Sequence, residues 1–95
     1  MLNERRRVDN KRRKQNMWID GCIHLPIGRG RYEDYKYVVK YSEKPSKHGL
    51  DGGRILKLVV THKDKLVMSY DGGWDKKPST QKGYVIICML IEDYN

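Results

Sequence analysis

Two Asp-Gly-Gly turns hold the residues of this chain best placed for chemistry. The first lies in Gly49-Leu50-Asp51-Gly52-Gly53-Arg54-Ile55-Leu56-Lys57-Leu58, the second in Tyr70-Asp71-Gly72-Gly73-Trp74-Asp75-Lys76-Lys77-Pro78. Glycine lets backbone amides approach a ligand closely, and cationic side chains beside such amides suit an anion. Gly72, Gly73, Lys76 and Lys77, joined by Arg54, are therefore the candidate ligand contacts, and Trp74 offers a ring on which a base can stack. The same residues also have a purely structural reading, because Asp-Gly supplies the positive φ of a tight turn with no ligand involved. Neither turn matches a Walker A or dinucleotide-binding fingerprint.

Other candidates for chemistry are sparse. Trp18, at the start of a strand, and the Tyr35/Tyr37/Tyr41 stripe read as core before they read as stacking platforms. His24, His48 and His62 show no ligand spacing to one another or to Cys22 and Cys88, so neither a metal nor a cofactor is expected. Asp71 and Asp75 could bind a metal, but the positive charges of Lys76 and Lys77 beside them oppose it. No Ser-His-Asp order and no paired carboxylates in apolar surroundings point to hydrolysis, and the reading is of binding without catalysis.

These residues are positioned by a chain that changes character near Met17. The segment 1–16 carries Arg5, Arg6, Arg7, Lys11, Arg12, Arg13 and Lys14 against Glu4 and Asp9, with only Leu2 and Val8 as internal apolar residues. It reads as a basic N-terminal arm suited to a polyanion, or as a solvated tail. Residues 17–95 read as one small α+β domain. Met17, Ile19, Ile23 and Leu25 alternate against Trp18, Cys22 and His24, Gly21 interrupts them, and Pro26 is expected to end the strand. Tyr35, Tyr37, Val39 and Tyr41 alternate against Lys36, Val38 and Lys40. A third strand over 54–62 puts Leu56, Leu58 and Val60 on the core face, and a fourth over 66–70 does the same with Leu66, Met68 and Tyr70. Ser79 or Thr80 caps a final helix whose stripe is Tyr84, Ile87, Leu90/Ile91 and Tyr94, although its Val-Ile-Ile run also suits a fifth strand. The expected architecture is an antiparallel meander of about four strands with a C-terminal helix across one face.

Composition narrows the class. The 95 residues carry a formal charge of +8, and the arm holds most of that excess. With no Phe, seven Tyr and two Trp supply the aromatic bulk, residue types that serve where a core meets a binding surface. The longest apolar run, Tyr84 to Ile91, is eight residues, short of the roughly 18 that span a bilayer. No apolar stretch follows the arm as a secretion signal requires, so a cytoplasmic protein with free thiols is expected. Spare strand edges in so small a domain invite homo-oligomers.

Trp18-Ile19-Asp20-Gly21, the first glycine-rich run, Tyr70-Asp71-Gly72-Gly73-Trp74-Asp75 and the final Tyr94-Asn95 together resemble a family of short, uncharacterised proteins of Firmicutes, their phages and mobile elements. The resemblance covers residues 17–95 and assigns no activity and no functional residue. It implies a phage or mobile-element setting, in which small inhibitors of host defence are common. The functional expectation is a non-enzymatic protein that captures a nucleotide, an immune signalling nucleotide among them, or a nucleic acid, and acts by sequestration or occlusion. The alternative is a protein–protein inhibitor or adaptor whose basic surface docks an acidic host protein.

Overall fold

Residues 16–95 are described by a computed structural model, and the arm cations Arg5 to Lys14 lie outside the described residues. Alternating segments form β1 (Asn16–Gly28), β2 (Arg31–Ser42), β3 (Ile55–His62), β4 (Lys65–Asp71) and a short β5 (Trp74–Lys76), followed by the helix α1 (Gln81–Tyr94). Each strand pairs antiparallel with its sequence neighbour, giving one sheet in the order β1-β2-β3-β4-β5. The class is α+β, with five strands where about four were expected. The added strand contains Trp74, which the sequence placed in a loop. Pro26 does not end β1, because an edge strand tolerates a residue with no N–H to donate. The register slips only past it, between Pro26 and Gly28.

The C-terminal segment is helical. Thr80 is the cap, its hydroxyl accepting from the Gly83 N–H at 3.0 Å. The buried stripe is Gly83, Ile86, Ile87 and Leu90, with Tyr94 half-buried, and Tyr84 is 56% exposed. The expected stripe had the right period but began one residue late. Gly83 sets the phase: a Cβ there would lie 3.1 Å from the Pro78 Cβ, so the bare glycine lets the first turn seat closely. A pattern built on apolar residues does not register a glycine contact.

Ile86, Ile87 and Leu90 cover Ile23, Tyr35, Val39, Ile55, Leu58, Val60, Met68 and Tyr70, which together form the core. Two bulges correct the expected strand faces. Lys40 pairs with Lys57 but Tyr41 pairs with Ile55, so Leu56 is an extra residue in β3. Ile55 becomes fully buried and Leu56 only half-buried. Val60 pairs with Met68 but Thr61 with Leu66, which makes Val67 the extra residue in β4 and leaves Leu66 43% exposed. A single inserted residue flips the alternation beyond it. Among the described residues no helix lies over the opposite face of the sheet.

Candidate functional site

The first Asp-Gly-Gly turn is filled by the chain itself. Asp51 and Gly52 adopt φ of 53° and 70°, and the N–H groups of Gly52 and Gly53 donate at 2.9 Å to the carbonyls of Gly49 and Leu50. The Asn95 side chain enters from the end of α1. Its Oδ1 accepts from the N–H groups of Arg54 (2.8 Å) and Ile55 (2.9 Å), and its Nδ2 donates to the Leu50 carbonyl at 2.9 Å. A Cβ on Gly53 would overlap that amide. The Gly52 and Gly53 amides expected to meet a phosphate are spent on carbonyls of the turn itself, and those of Arg54 and Ile55 on the Asn95 side chain. Next to it the Tyr94 and Tyr37 hydroxyls are 3.0 Å apart, and Tyr37 lies over Gly21, where a Cβ would strike its ring. That hydrogen bond, then burial, pushes the Tyr94 hydroxyl up to about 12. Sequence reading missed this latch, since nothing local marks a terminal Asn as a partner for a turn some forty residues earlier.

The expected ligand contacts do not gather at one point. Arg54 turns toward β2, where its Nε donates to the Ser42 carbonyl at 2.9 Å and its guanidinium sits 5.3 Å from the Tyr41 ring centroid. Trp74 lies beyond β4 on the other side of β3, half-buried and edge-on to Tyr70 at 5.2 Å and 78°. Tyr70 in turn donates to the His48 carbonyl at 2.9 Å. Lys76 donates to the Leu66 carbonyl at 3.0 Å. Gly72, Gly73 and Lys77 are exposed, and a Cβ at either glycine would meet nothing within 4 Å. The second turn thus stays open to solvent, without Arg54 beside it and with Trp74 turned to the core.

An exposed aromatic–cation pair lies on the uncovered face of the sheet. Trp18 is 58% exposed, the most exposed tryptophan, and the Lys40 ammonium rests 5.5 Å from its ring centroid. The pairing register carries the row onward as Trp18, Lys40, Lys57 and Asp71, with Asp71 3.5 Å from Lys57. The adjacent row holds Asp20, Val38, Val59 and Ser69. Lysine and carboxylate charges nearly cancel on this face among the described residues. The expectation that Trp18 is core is corrected: its strand position points away from the helix. The outer side of α1 exposes a different surface, made of Tyr84, Val85, Cys88 and Met89.

Residues 17–95 match a family model described as a domain of unknown function, DUF7678, and the chain belongs to that family. No curated protein matches the chain. No solved structure matches it. No helix among the described residues is long and apolar enough to cross a membrane.

Proposed function

Starting from membership of that family, we propose that this chain is a non-enzymatic binding protein for single-stranded nucleic acid or a nucleotide. It grips the phosphates with the basic segment 1–16 and stacks a base on Trp18. The observation that carries this reading is the solvent-facing Trp18–Lys40 pair, whose Trp18 follows closely on seven Arg/Lys residues in the chain. An aromatic ring on an uncovered sheet face is a sequence-tolerant platform for bases, and a basic segment beside it supplies the salt-dependent part of binding. Lys40 leaves the ring for a phosphate when a base takes its place. Gly72, Gly73 and Lys77 form a second accessible patch, in which the Lys77 ammonium has no partner among the described residues, while Arg54, Trp74 and Lys76 keep structural contacts. Capture of this kind acts by sequestration or occlusion in a cytoplasmic setting, and a counter-defence role rests on the family resemblance rather than on any residue.

Fluorescence anisotropy with a labelled single-stranded oligonucleotide tests the reading. Trp18→Ala should weaken binding about 5- to 150-fold, the equivalent of 1–3 kcal/mol per stacked base, with the circular dichroism spectrum unchanged. Replacing the seven arm cations by Gln should flatten the salt dependence by about 0.7 in log–log slope per lost phosphate contact. Unchanged affinity in Trp18→Ala rules out the stacking role.

A second reading is favoured by the outer side of α1, where Tyr84 (56%), Val85 (44%) and Met89 (38%) are exposed together. An apolar patch of this kind suits a protein partner, including a second copy of the chain. Tyr84→Lys would abolish that association and leave nucleic-acid binding untouched.

A further inference from the structure

The hairpin of β1 and β2 gathers three chemically different donors, two from one strand and one from the other. Cys22 and His24 are two residues apart on β1 and share the uncovered face, and Asp34 on β2 pairs directly with His24. Donor atoms of Cys22, His24 and Asp34 all lie within 4.8 Å of one another, and all three residues are exposed. His24 Nδ1 and Asp34 Oδ1 are 2.5 Å apart. An exposed His–Asp pair adds little to stability, so packing does not account for the group.

We infer that Cys22, His24 and Asp34 form a binding site for a divalent transition ion of the zinc class. One thiolate, one imidazole and one carboxylate are the donor types that zinc accepts, and three protein ligands leave a fourth position for water. Donors on a tetrahedral Zn²⁺ stand about 3.3–3.6 Å apart, so small side-chain rotations on exposed positions close the site. The hairpin register provides the preorganisation: strand geometry sends residues i and i+2 to one face, and direct pairing puts the third donor beside them. Loading displaces the Cys22 thiol proton and the hydrogen bond between His24 and Asp34, so binding releases protons. Lys36 pairs with Cys22 and opposes the ion, but its long side chain is exposed and free to turn into solvent. The inference is independent of the nucleic-acid reading, since it uses neither Trp18 nor the arm.

Co²⁺ titration of the full, reduced chain is the test. The expected result is one ion per chain, with the visible absorption of tetrahedral cobalt and a near-ultraviolet thiolate-to-cobalt band that Zn²⁺ abolishes by competition. Cys22→Ser should remove the thiolate band, and His24→Ala or Asp34→Ala should weaken binding at least about tenfold, since even outer-shell partners of a metal are worth 10–100-fold. Cys88→Ser should change nothing. Because all three ligands are exposed, the variants should keep the parent's circular dichroism and melting point. Absence of a thiolate band, its survival in Cys22→Ser, its loss in Cys88→Ser, or one ion per two chains would each overturn the site.

Discussion

The turns at Asp51–Gly53 and Asp71–Gly73 share three residues, yet one is closed from within and the other faces solvent. In the first, the Asn95 amide satisfies the N–H groups of Arg54 and Ile55 and the carbonyl of Leu50, and Gly53 is there to make room for it. In the second, Gly72 turns the chain with φ of 71° and, among the described residues, nothing lies within 4 Å of a Cβ built on either glycine. Gly53 has φ of −101°, outside the left-handed region, so its need for glycine is one of space and Gly72's is one of rotation. The first glycine, Gly52 (φ 70°) or Gly72 (φ 71°), answers the same demand for rotation in both turns, and it is the second that differs, Gly53 giving way to Asn95 from the far end of the described chain.

The largest expected effect tests the closed turn. Asn95→Ala leaves two N–H groups without a partner and should cost about 2–4 kcal/mol in urea unfolding. Gly53→Ala should cost a similar amount by driving the amide out. In the Asn95→Ala background, Gly53→Ala should add less than about 0.5 kcal/mol, because the obstacle is gone. Additive costs would show that Gly53 serves something other than Asn95.

Alkali should attack the same end of the molecule next. The Tyr94 hydroxyl is raised to about 12 by its bond to Tyr37 and by burial, and burial also raises Tyr70 and Tyr35. These values lie above those of the unfolded chain, so the folded state favours the protonated phenols. Their stabilisation is complete below about pH 10 and is lost as pH rises toward about 12. Thermal melting followed across that window should show a steeper fall for the parent than for Tyr94→Phe.

Effects around the open turn should be smaller. Trp74→Ala removes a half-buried ring from Tyr70 and should cost about 2 kcal/mol, below the 3–5 kcal/mol of a fully buried tryptophan. Gly72→Ala should cost about 1 kcal/mol through left-handed strain. Gly73→Ala should stay within about 0.5 kcal/mol by thermal melting. If Gly73→Ala proved as costly as Gly53→Ala, the contrast between the turns would fail.

Local patterning made most of the fold legible. The tyrosine and valine alternation over Tyr35–Tyr41 gave β2 its face, and Thr80 gave α1 its start. The bulges at Leu56 and Val67 were not legible, because an extra residue has no signature of its own and shows only through the partner strand. Strict alternation puts Leu56 inside and leaves out Ile55 for that reason. Of the candidate contacts, Arg54 and Trp74 looked adjacent because both flank an Asp-Gly-Gly turn, but β3 and β4 hold them apart. The Cys22–His24–Asp34 group depended on hairpin register, which brings residue 34 back to residue 24. The i, i+2 spacing of Cys22 and His24 was the one signal present in the sequence.

The Asn95 latch also bears on when the molecule becomes whole during synthesis. Each strand pairs with the one made just before it, so the sheet can assemble in the order of translation, with two-residue loops to close everywhere but between β2 and β3. The N–H groups of Arg54 and Ile55 must wait in water through the making of β4, β5 and α1, and find their acceptor only when residue 95 has been added. The edge of the turn that begins the middle strand is thus finished by a side chain from beyond the helix, and a nascent chain that has not yet reached residue 95 carries a paired sheet with an open seam.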